Sequence, residues 1–242
     1  MNIAVIFAGG AGIRMNSKEK PKQFLEIYNK PIIIHTLEHF ENNSEIDAIV
    51  IACLEDWIPY LEKLLYKFRI EKVKKIVPGG STGQLSIYNG LKAAKEVAGN
   101  SKSIALIHDG VRPIINSELI SENIAAVKKY GSAITASIVK ETILVVNNEM
   151  EIEQIPTRAK SRAAKAPQSF WLDEIIAVHE KALADGEDNS IDSCTLMKQY
   201  SNKNLHVIDG PYENIKITTP DDFFMMRAIL DARENNQIYL FE

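Results

Sequence analysis

Ile3-Ala4-Val5-Ile6-Phe7-Ala8-Gly9-Gly10-Ala11-Gly12-Ile13-Arg14-Met15 stands almost at the start of the chain, and Pro21-Lys22-Gln23 follows a few residues later. The apolar, β-branched run Ile3–Phe7 reads as a buried strand. The glycines after it, having no Cβ, let backbone wrap closely around a phosphate and aim N–H groups at it. Arg14 and Lys22 supply the positive charge that a triphosphate requires. The spacing matches neither G-x-x-x-x-G-K-[ST] nor G-x-G-x-x-G. Gly9-Gly10 alone would be met equally well by a strand-to-helix turn with solvated Arg14 and Lys22. Further polar segments at later strand ends favour a nucleoside-triphosphate grip.

Working outward, short apolar runs alternate with helical patterns. Strands are expected near Ile3–Phe7, Ala48–Cys53, Lys74–Val77, Ile104–Ile107 and Ala133–Ile138, and helices near Ile32–Phe40, Trp57–Phe68, Leu85–Val97 and Glu118–Tyr130. This rhythm predicts an α/β fold with a mostly parallel sheet covered on both faces. In such sheets ligands bind beyond the carboxyl ends of the strands, where the polar segments lie.

The rhythm breaks after Ile138. Thr142–Val146, Asn147-Asn148 and Met150–Ile155 read as a β-hairpin. A lone hairpin is marginal in water. Residues 139–160 are therefore expected to project as an arm that packs on a second subunit of a two-fold dimer, the alternative being a hairpin folded back on its own sheet. A helix near Leu172–Ala184, strands near Leu205–Asp209 and Ile215–Thr218, and a helix from about Pro220 to Arg233 complete the pattern. Thr219 is the expected N-cap of that last helix.

The chain has 242 residues, 45% hydrophobic and 25% charged, enough for one large globular domain, 1–242, with no room for a second catalytic one. A net charge of −4 argues against a nucleic-acid surface. Met1–Gly10 is too short and too soon interrupted to be a signal peptide or membrane span, so a cytoplasmic location is expected. Cys53 and Cys194 lie far apart with no C-x-x-C partner, which supports neither a zinc site nor a disulfide framework.

Three later segments carry candidate chemistry. Pro78-Gly79-Gly80-Ser81-Thr82-Gly83-Gln84-Leu85-Ser86 opens a helix: its glycines can back a flat base, Ser86 can donate toward phosphate or base, and Thr82 reads as a cap. Gly90 within that helix suits close packing. In His108-Asp109-Gly110-Val111-Arg112-Pro113, Asp109 at a buried strand end could hold a divalent cation on nucleotide phosphates, or could cap a turn. Arg112 fits substrate binding or a structural ion pair, and His108 a hydrogen-bonded core position. In Asn214-Ile215-Lys216-Ile217-Thr218, alternation turns Lys216 away from the core, by default toward solvent.

Together these segments, with Thr218-x-Pro220-Asp221, resemble the sugar-phosphate cytidylyltransferases, the family acting on methylerythritol and ribitol phosphates, over nearly the whole chain. The resemblance implies a Rossmann-like nucleotidyltransferase fold with three layers, an arm-exchanged homodimer, Mg²⁺ as cofactor, and CTP plus a polyol phosphate as substrates. By position, Arg14 and Lys22 would hold the triphosphate. Ala8, Gly9, Gly10, Gly12, Gly80, Ser81, Ser86 and Gly110 would line the cytidine site. Asp109 would engage metal or ribose and Lys216 the phosphates. Thr142 and Arg158 would reach the sugar phosphate, Arg158 from the partner subunit. Methylerythritol enzymes resemble G-G-x-x-R-x-x-S, whereas Gly83 stands here at the arginine position. That departure, with Lys165-Ala166-Pro167-Gln168-Ser169 and Gly210-Pro211-Tyr212-Glu213-Asn214, resembles the ribitol-phosphate branch. Ribitol 5-phosphate, a teichoic-acid or capsule precursor, is thus the expected acceptor; methylerythritol phosphate and a non-catalytic nucleotide-binding regulator are the alternatives. A glycosyltransferase would be expected to carry Asp-x-Asp, which His108-Asp109-Gly110 does not supply.

Overall fold

The computed structural model describes residues 1–10 and 20–234. Gly12 and Arg14 fall outside the described residues.

The chain runs β1 (Asn2–Ala8), β2 (Glu26–Ile27), β3 (Lys30–Pro31), α1 (Ile32–Asn42), β4 (Ala48–Cys53), α2 (Ile58–Phe68), β5 (Val73–Pro78), α3 (Gly83–Ala98), β6 (Ile104–Asp109), α4 (Ser117–Tyr130) and β7 (Ser132–Ile138). It continues through β8 (Val145–Val146), β9 (Ile152–Gln154), β10 (Arg162–Trp171), α5 (Leu172–Ala184), α6 (Ser193–Tyr200), β11 (Val207–Asp209) and α7 (Pro220–Glu234). Seven strands form one sheet in the order β11-β7-β10-β6-β1-β4-β5. Its ladders are parallel except those of β10, which runs antiparallel between β6 and β7.

Two apolar layers sandwich the sheet. Ile6, Ile49, Ile51 and Leu106 face α1, α2 and α4, through residues such as Leu37, Leu61 and Ile124. Val5, Val50 and Ile107 face α3, α5 and α6 through Leu91, Ile175 and Leu196. Each fully buried Val, Ile or Leu contributes roughly 1.5–3 kcal/mol, so strands buried on both faces hold the middle of the sheet. Gly90 is the expected packing glycine: a methyl there would stand 2.7 Å from a Val5 methyl.

Polar caps set the helix starts. Thr82, Asn116 and Asp192 accept from the N–H of Leu85, Leu119 and Thr195 respectively. At α7 the Thr219 hydroxyl accepts from the Asp222 N–H (3.4 Å), while the Asp222 carboxylate accepts from both Thr218 and Thr219 (2.8 Å each).

One sequence expectation needs correction, and two elements were missed. Ile215–Thr218 is not a strand; it is an extended segment fastened by the Ile217 N–H to the Val111 carbonyl. Strand β10 and helix α6 went unpredicted, because the polar run 185–195 and the proline within β10 masked their periodicity. Of the two placements of the hairpin, the one folded back on the large sheet is not adopted: β8 and β9 pair only with each other among the described residues. Its loop covers residues 147–151, with the Asn147 side chain accepting from Glu149 and Glu151 N–H groups. No helix among the described residues is long and apolar enough to cross a membrane.

Candidate active site

The chain goes from β1 outward to β4 and β5, then returns to the other side of β1 with β6, placing the topological switch point between β1 and β6. Gly110 makes the close approach there. Its N–H donates to the Phe7 carbonyl (3.0 Å), and a methyl on it would stand 3.1 Å from the Ala8 Cβ.

Beyond β1, backbone from two loops packs around Ser86. A methyl on Gly9 would lie 2.9 Å from the Ser86 hydroxyl, one on Gly79 3.3 Å from the Gly9 Cα, and one on Gly80 2.9 Å from the Leu85 carbonyl carbon. A side chain is excluded by backbone at Gly80 and crowded at Gly9 and Gly79, and the tip of β1 meets the tip of β5 backbone to backbone. Gly10 borders open space, and Ser81 is exposed in the turn before α3. Ser86 was expected to donate outward. Instead its hydroxyl donates to the Thr82 carbonyl (2.9 Å) and accepts from the Gly80 N–H (3.0 Å), shaping the turn.

Lys22 is brought to the same rim by its neighbour. The Gln23 amide donates to the Ala8 carbonyl (2.7 Å), and Phe24 stacks on Trp57 with centroids 5.0 Å apart. Lys22 is buried in the short turn between them. Its charge reaches Asp222, whose burial is outweighed by the Thr219 and Thr218 N–H donors and by Lys22, so the carboxyl sits below its ordinary range.

Asp109 ends β6 as a buried carboxylate gripped by two cations. Arg112 Nε donates to one oxygen (3.0 Å), and Lys216 Nζ stands 2.6 Å from the other. Burial alone would raise its pKa; the Arg112 and Lys216 charges overcome that and hold it ionised far below the usual carboxylate range. Lys216, expected by default in solvent, thus turns onto Asp109. Its segment is tied down by Arg112 Nη1 donating to the Asn214 carbonyl (2.8 Å), by Lys165 Nζ donating to the same carbonyl (3.1 Å), and by the Asn214 amide on the Ala166 carbonyl (2.6 Å). Burial and the nearby Arg112 push the Lys165 pKa down. His108 is a buried core histidine against Phe40, with Nε2 on the Arg112 carbonyl (3.0 Å).

Among the described residues no three His, Cys, Asp or Glu side chains converge as a metal cage. One carboxylate already bound to cations fits a Mg²⁺ that arrives largely liganded by phosphate oxygens.

A cleft of about 280 Å³ opens beside Asp109, Arg112, Lys165 and Lys216 and runs under the loop before α6. Two buried glutamines hold that loop. The Gln84 amide donates to the Glu187 carbonyl (2.8 Å) while its oxygen accepts from Ser190 N–H (2.6 Å). Gln168 donates to the Asp192 carboxylate (3.0 Å) and accepts from Cys194 N–H (2.8 Å). Sequence reasoning missed Gln84, Gln168, Lys165, His179 and Ser193 as cleft residues; the unread cap signal Asp192-Ser193-Cys194-Thr195 was the available clue. Thr142 and Arg158 are exposed near the arm's base, where Arg158 donates to the Lys140 carbonyl (3.4 Å), and neither lines the cleft.

The family model described as 2-C-methyl-D-erythritol 4-phosphate cytidylyltransferase matches residues 2–232. A ribitol-5-phosphate cytidylyltransferase from Streptococcus agalactiae serotype III is 54% identical over 239 residues, covering 99% of each chain. A 2-C-methyl-D-erythritol 4-phosphate cytidylyltransferase from Clostridium botulinum is 39% identical over 230 residues, 95% of this chain and 97% of that one. The crystal structure of 4-diphosphocytidyl-2C-methyl-D-erythritol synthase from Anaerococcus prevotii superposes with a TM-score of 0.81 at 30% identity, covering 95% of this chain and 98% of that one. With the glycine-lined strand tips and the Asp109 cluster at the switch point, these likenesses show that the chain belongs to the 2-C-methyl-D-erythritol 4-phosphate cytidylyltransferase family.

Proposed function

We propose that this cytidylyltransferase moves the CMP unit of CTP onto D-ribitol 5-phosphate, giving CDP-ribitol and pyrophosphate. The observation that carries the catalytic reading is the Arg112–Asp109–Lys216 cluster, a set of aligned charges between the glycine-lined strand tips and a ligand-sized cleft. The acceptor choice is supported by the higher identity to the ribitol-phosphate relative, 54% against 39%.

A phosphate oxygen of the acceptor attacks the α-phosphorus of CTP in line. The bond from that phosphorus to the bridging oxygen breaks, and pyrophosphate leaves with the electron pair. The acceptor phosphate is already ionised near neutral pH, so no general base is required. Bringing two polyanions together makes charge neutralisation and alignment the main tasks. In this reading Arg14 and Lys22 hold the triphosphate, Ala8, Gly9, Gly10, Gly12, Gly80, Ser81, Ser86 and Gly110 border the cytidine, and Lys216 and Arg112 meet phosphate. Asp109 would be the protein's contact to a Mg²⁺ brought in with the nucleotide phosphates, and the ion would supply further charge neutralisation.

The arm belongs to the same proposal. Ile143, Leu144, Val145, Val146, Met150, Ile152 and Ile155 are all exposed, Met150 by 77%, an apolar surface that a second subunit would cover. Thr142 and Arg158 would then serve the partner's acceptor site. The setting we assign is the cytoplasm, where CTP is available, and the role is supply of activated ribitol for teichoic acid or capsule.

The test is pyrophosphate release with CTP, Mg²⁺ and each polyol phosphate in turn. Preference for ribitol 5-phosphate is expected. Preference for methylerythritol phosphate would overturn the acceptor assignment, and CTP-induced thermal stabilisation without pyrophosphate from any acceptor would leave a nucleotide-binding regulator.

A further inference from the structure

Most polar groups around the cleft are already occupied within the protein. Gln84 and Gln168 each spend their amide nitrogen and oxygen on the loop before α6, and Asp192 accepts from Gln168 and caps α6. Arg112 and Lys165 are drawn onto Asp109 and the Asn214 carbonyl. The exceptions sit together on the helical wall. His179, on α5, is 1% exposed, and neither ring nitrogen has a hydrogen-bond partner. Ser193, the first residue of α6, is 2% exposed, and its hydroxyl is likewise without one. Both residues line the cleft.

Unpartnered buried polar atoms are costly, so three in one wall point to a ligand that completes them. The chemistry of that ligand can be narrowed. Burial pushes the His179 pKa down to about 4, so the ring is neutral near pH 7 and offers one donor and one acceptor. It stacks on Tyr88 (5.6 Å), which fixes its plane. A hydroxyl, also donor and acceptor at once, matches both His179 and Ser193, neither of which carries a positive charge of its own to bind an anion. Ile87, Ile107 and Leu196 supply apolar walls suited to a carbon chain.

We infer that His179 and Ser193 form a hydroxyl-reading subsite that receives the polyol chain of the acceptor while its phosphate lies at the Arg112–Lys216 end of the cleft. This rests on the proposed polyol-phosphate acceptor and adds the residues that measure the length and hydroxylation of its chain. His179 and Ser193 are specificity determinants in contact with the acceptor; they take no part in bond making.

The experiment compares steady-state constants of the wild-type enzyme with those of His179→Phe and Ser193→Ala, using ribitol 5-phosphate, erythritol 4-phosphate and glycerol 3-phosphate as acceptors. Each variant is expected to raise KM for ribitol 5-phosphate by about tenfold, the scale of one lost buried hydrogen bond, with the KM for CTP unchanged. The penalty shrinks as the acceptor shortens. Equal KM values for variant and wild type, or one uniform loss across all three acceptors, would overturn the inference and leave the polar pair to a structural water. If His179→Phe fails to fold by thermal melting, Ser193→Ala and His179→Asn decide. If wild type ignores ribitol 5-phosphate, the acceptor assignment fails separately, and the same variant ratios are read on the acceptor that does turn over.

Discussion

The Lys216 ammonium lies 2.6 Å from the Asp109 carboxylate, whose other oxygen is held at 3.0 Å by Arg112. One acid therefore aims two cations at the cleft, and the three members of the cluster differ sharply in burial: Asp109 and Arg112 are sequestered, while the Lys216 side chain is 41% exposed.

This asymmetry separates stability from catalysis. Asp109→Ala leaves Arg112 buried without its counter-charge and should destabilise the fold by about 3 kcal/mol, seen in urea titration. Lys216→Met removes an exposed partner worth little to stability, yet should lower kcat by roughly 10²–10³-fold. An inactive Lys216→Met with a wild-type denaturation midpoint is the expected result.

Lys22 should behave as a transition-state donor. Lys22→Ala is expected to lower kcat by roughly 10²–10³-fold; near-normal turnover in a folded variant would remove it from the chemistry. Gln23→Leu, which cuts the tether to the Ala8 carbonyl, should lower activity in the same direction by displacing Lys22.

The glycines at the strand tips should not be equivalent. Gly80→Ala forces a methyl against Leu85 backbone, so both melting temperature and CTP affinity should drop. Gly83 has open space around it, and Gly83→Ala should melt at or slightly above the wild-type temperature, because alanine favours the first turn of a helix.

Acid should weaken the fold through its buried histidines. Burial pushes His108 and His179 from about 6.5 down to about 4. The unfolded chain therefore takes up protons from near pH 6.5 downward, whereas the native state resists until about pH 4. Stability should fall as pH drops through that window, and below about pH 4 the loss passes to carboxylates such as Asp109 that the fold holds ionised. Asp109, whose pKa is shifted down, adds a constant stabilisation across this range and no slope. His179→Phe should flatten the slope, measured by urea unfolding at a series of pH values.

The arm gives an oligomerisation test. Val145→Asp with Ile152→Asp places charge on its apolar surface without touching the sheet. Light scattering should shift from dimer to monomer mass, and activity should fall, because Thr142 and Arg158 would no longer reach a neighbouring cleft.

Much of this architecture was legible because it depends on local pattern. Strands β1, β4 and β6 are continuous apolar runs, and Thr82 and Thr219 stand where caps are required. The segments proposed to meet phosphate stood out because glycine and charge concentrate at strand ends. The cleft wall was not legible for the converse reason. Gln84, Gln168, His179 and Ser193 come from four separate elements, and nothing in local composition tells a glutamine that clamps a distant loop from one in solvent. Strand β10 was hidden by Pro167 and by its bulge against β7. Lys216 was readable only as an alternation, because its orientation depends on Asn214 bonding to Ala166, 48 positions earlier in the chain.

The insertion of β10 between β6 and β7 also constrains the order of assembly. As the nascent chain lengthens, β1, β4, β5 and β6 can zip into a four-stranded parallel block with neighbours already synthesised. Strand β7 emerges before β10 yet has no sheet edge to join until β10 arrives, and β11 in turn waits on β7. The second half of the sheet must therefore remain unpaired while the arm is translated, leaving Ser132–Ile138 as the stretch most in need of protection from premature association.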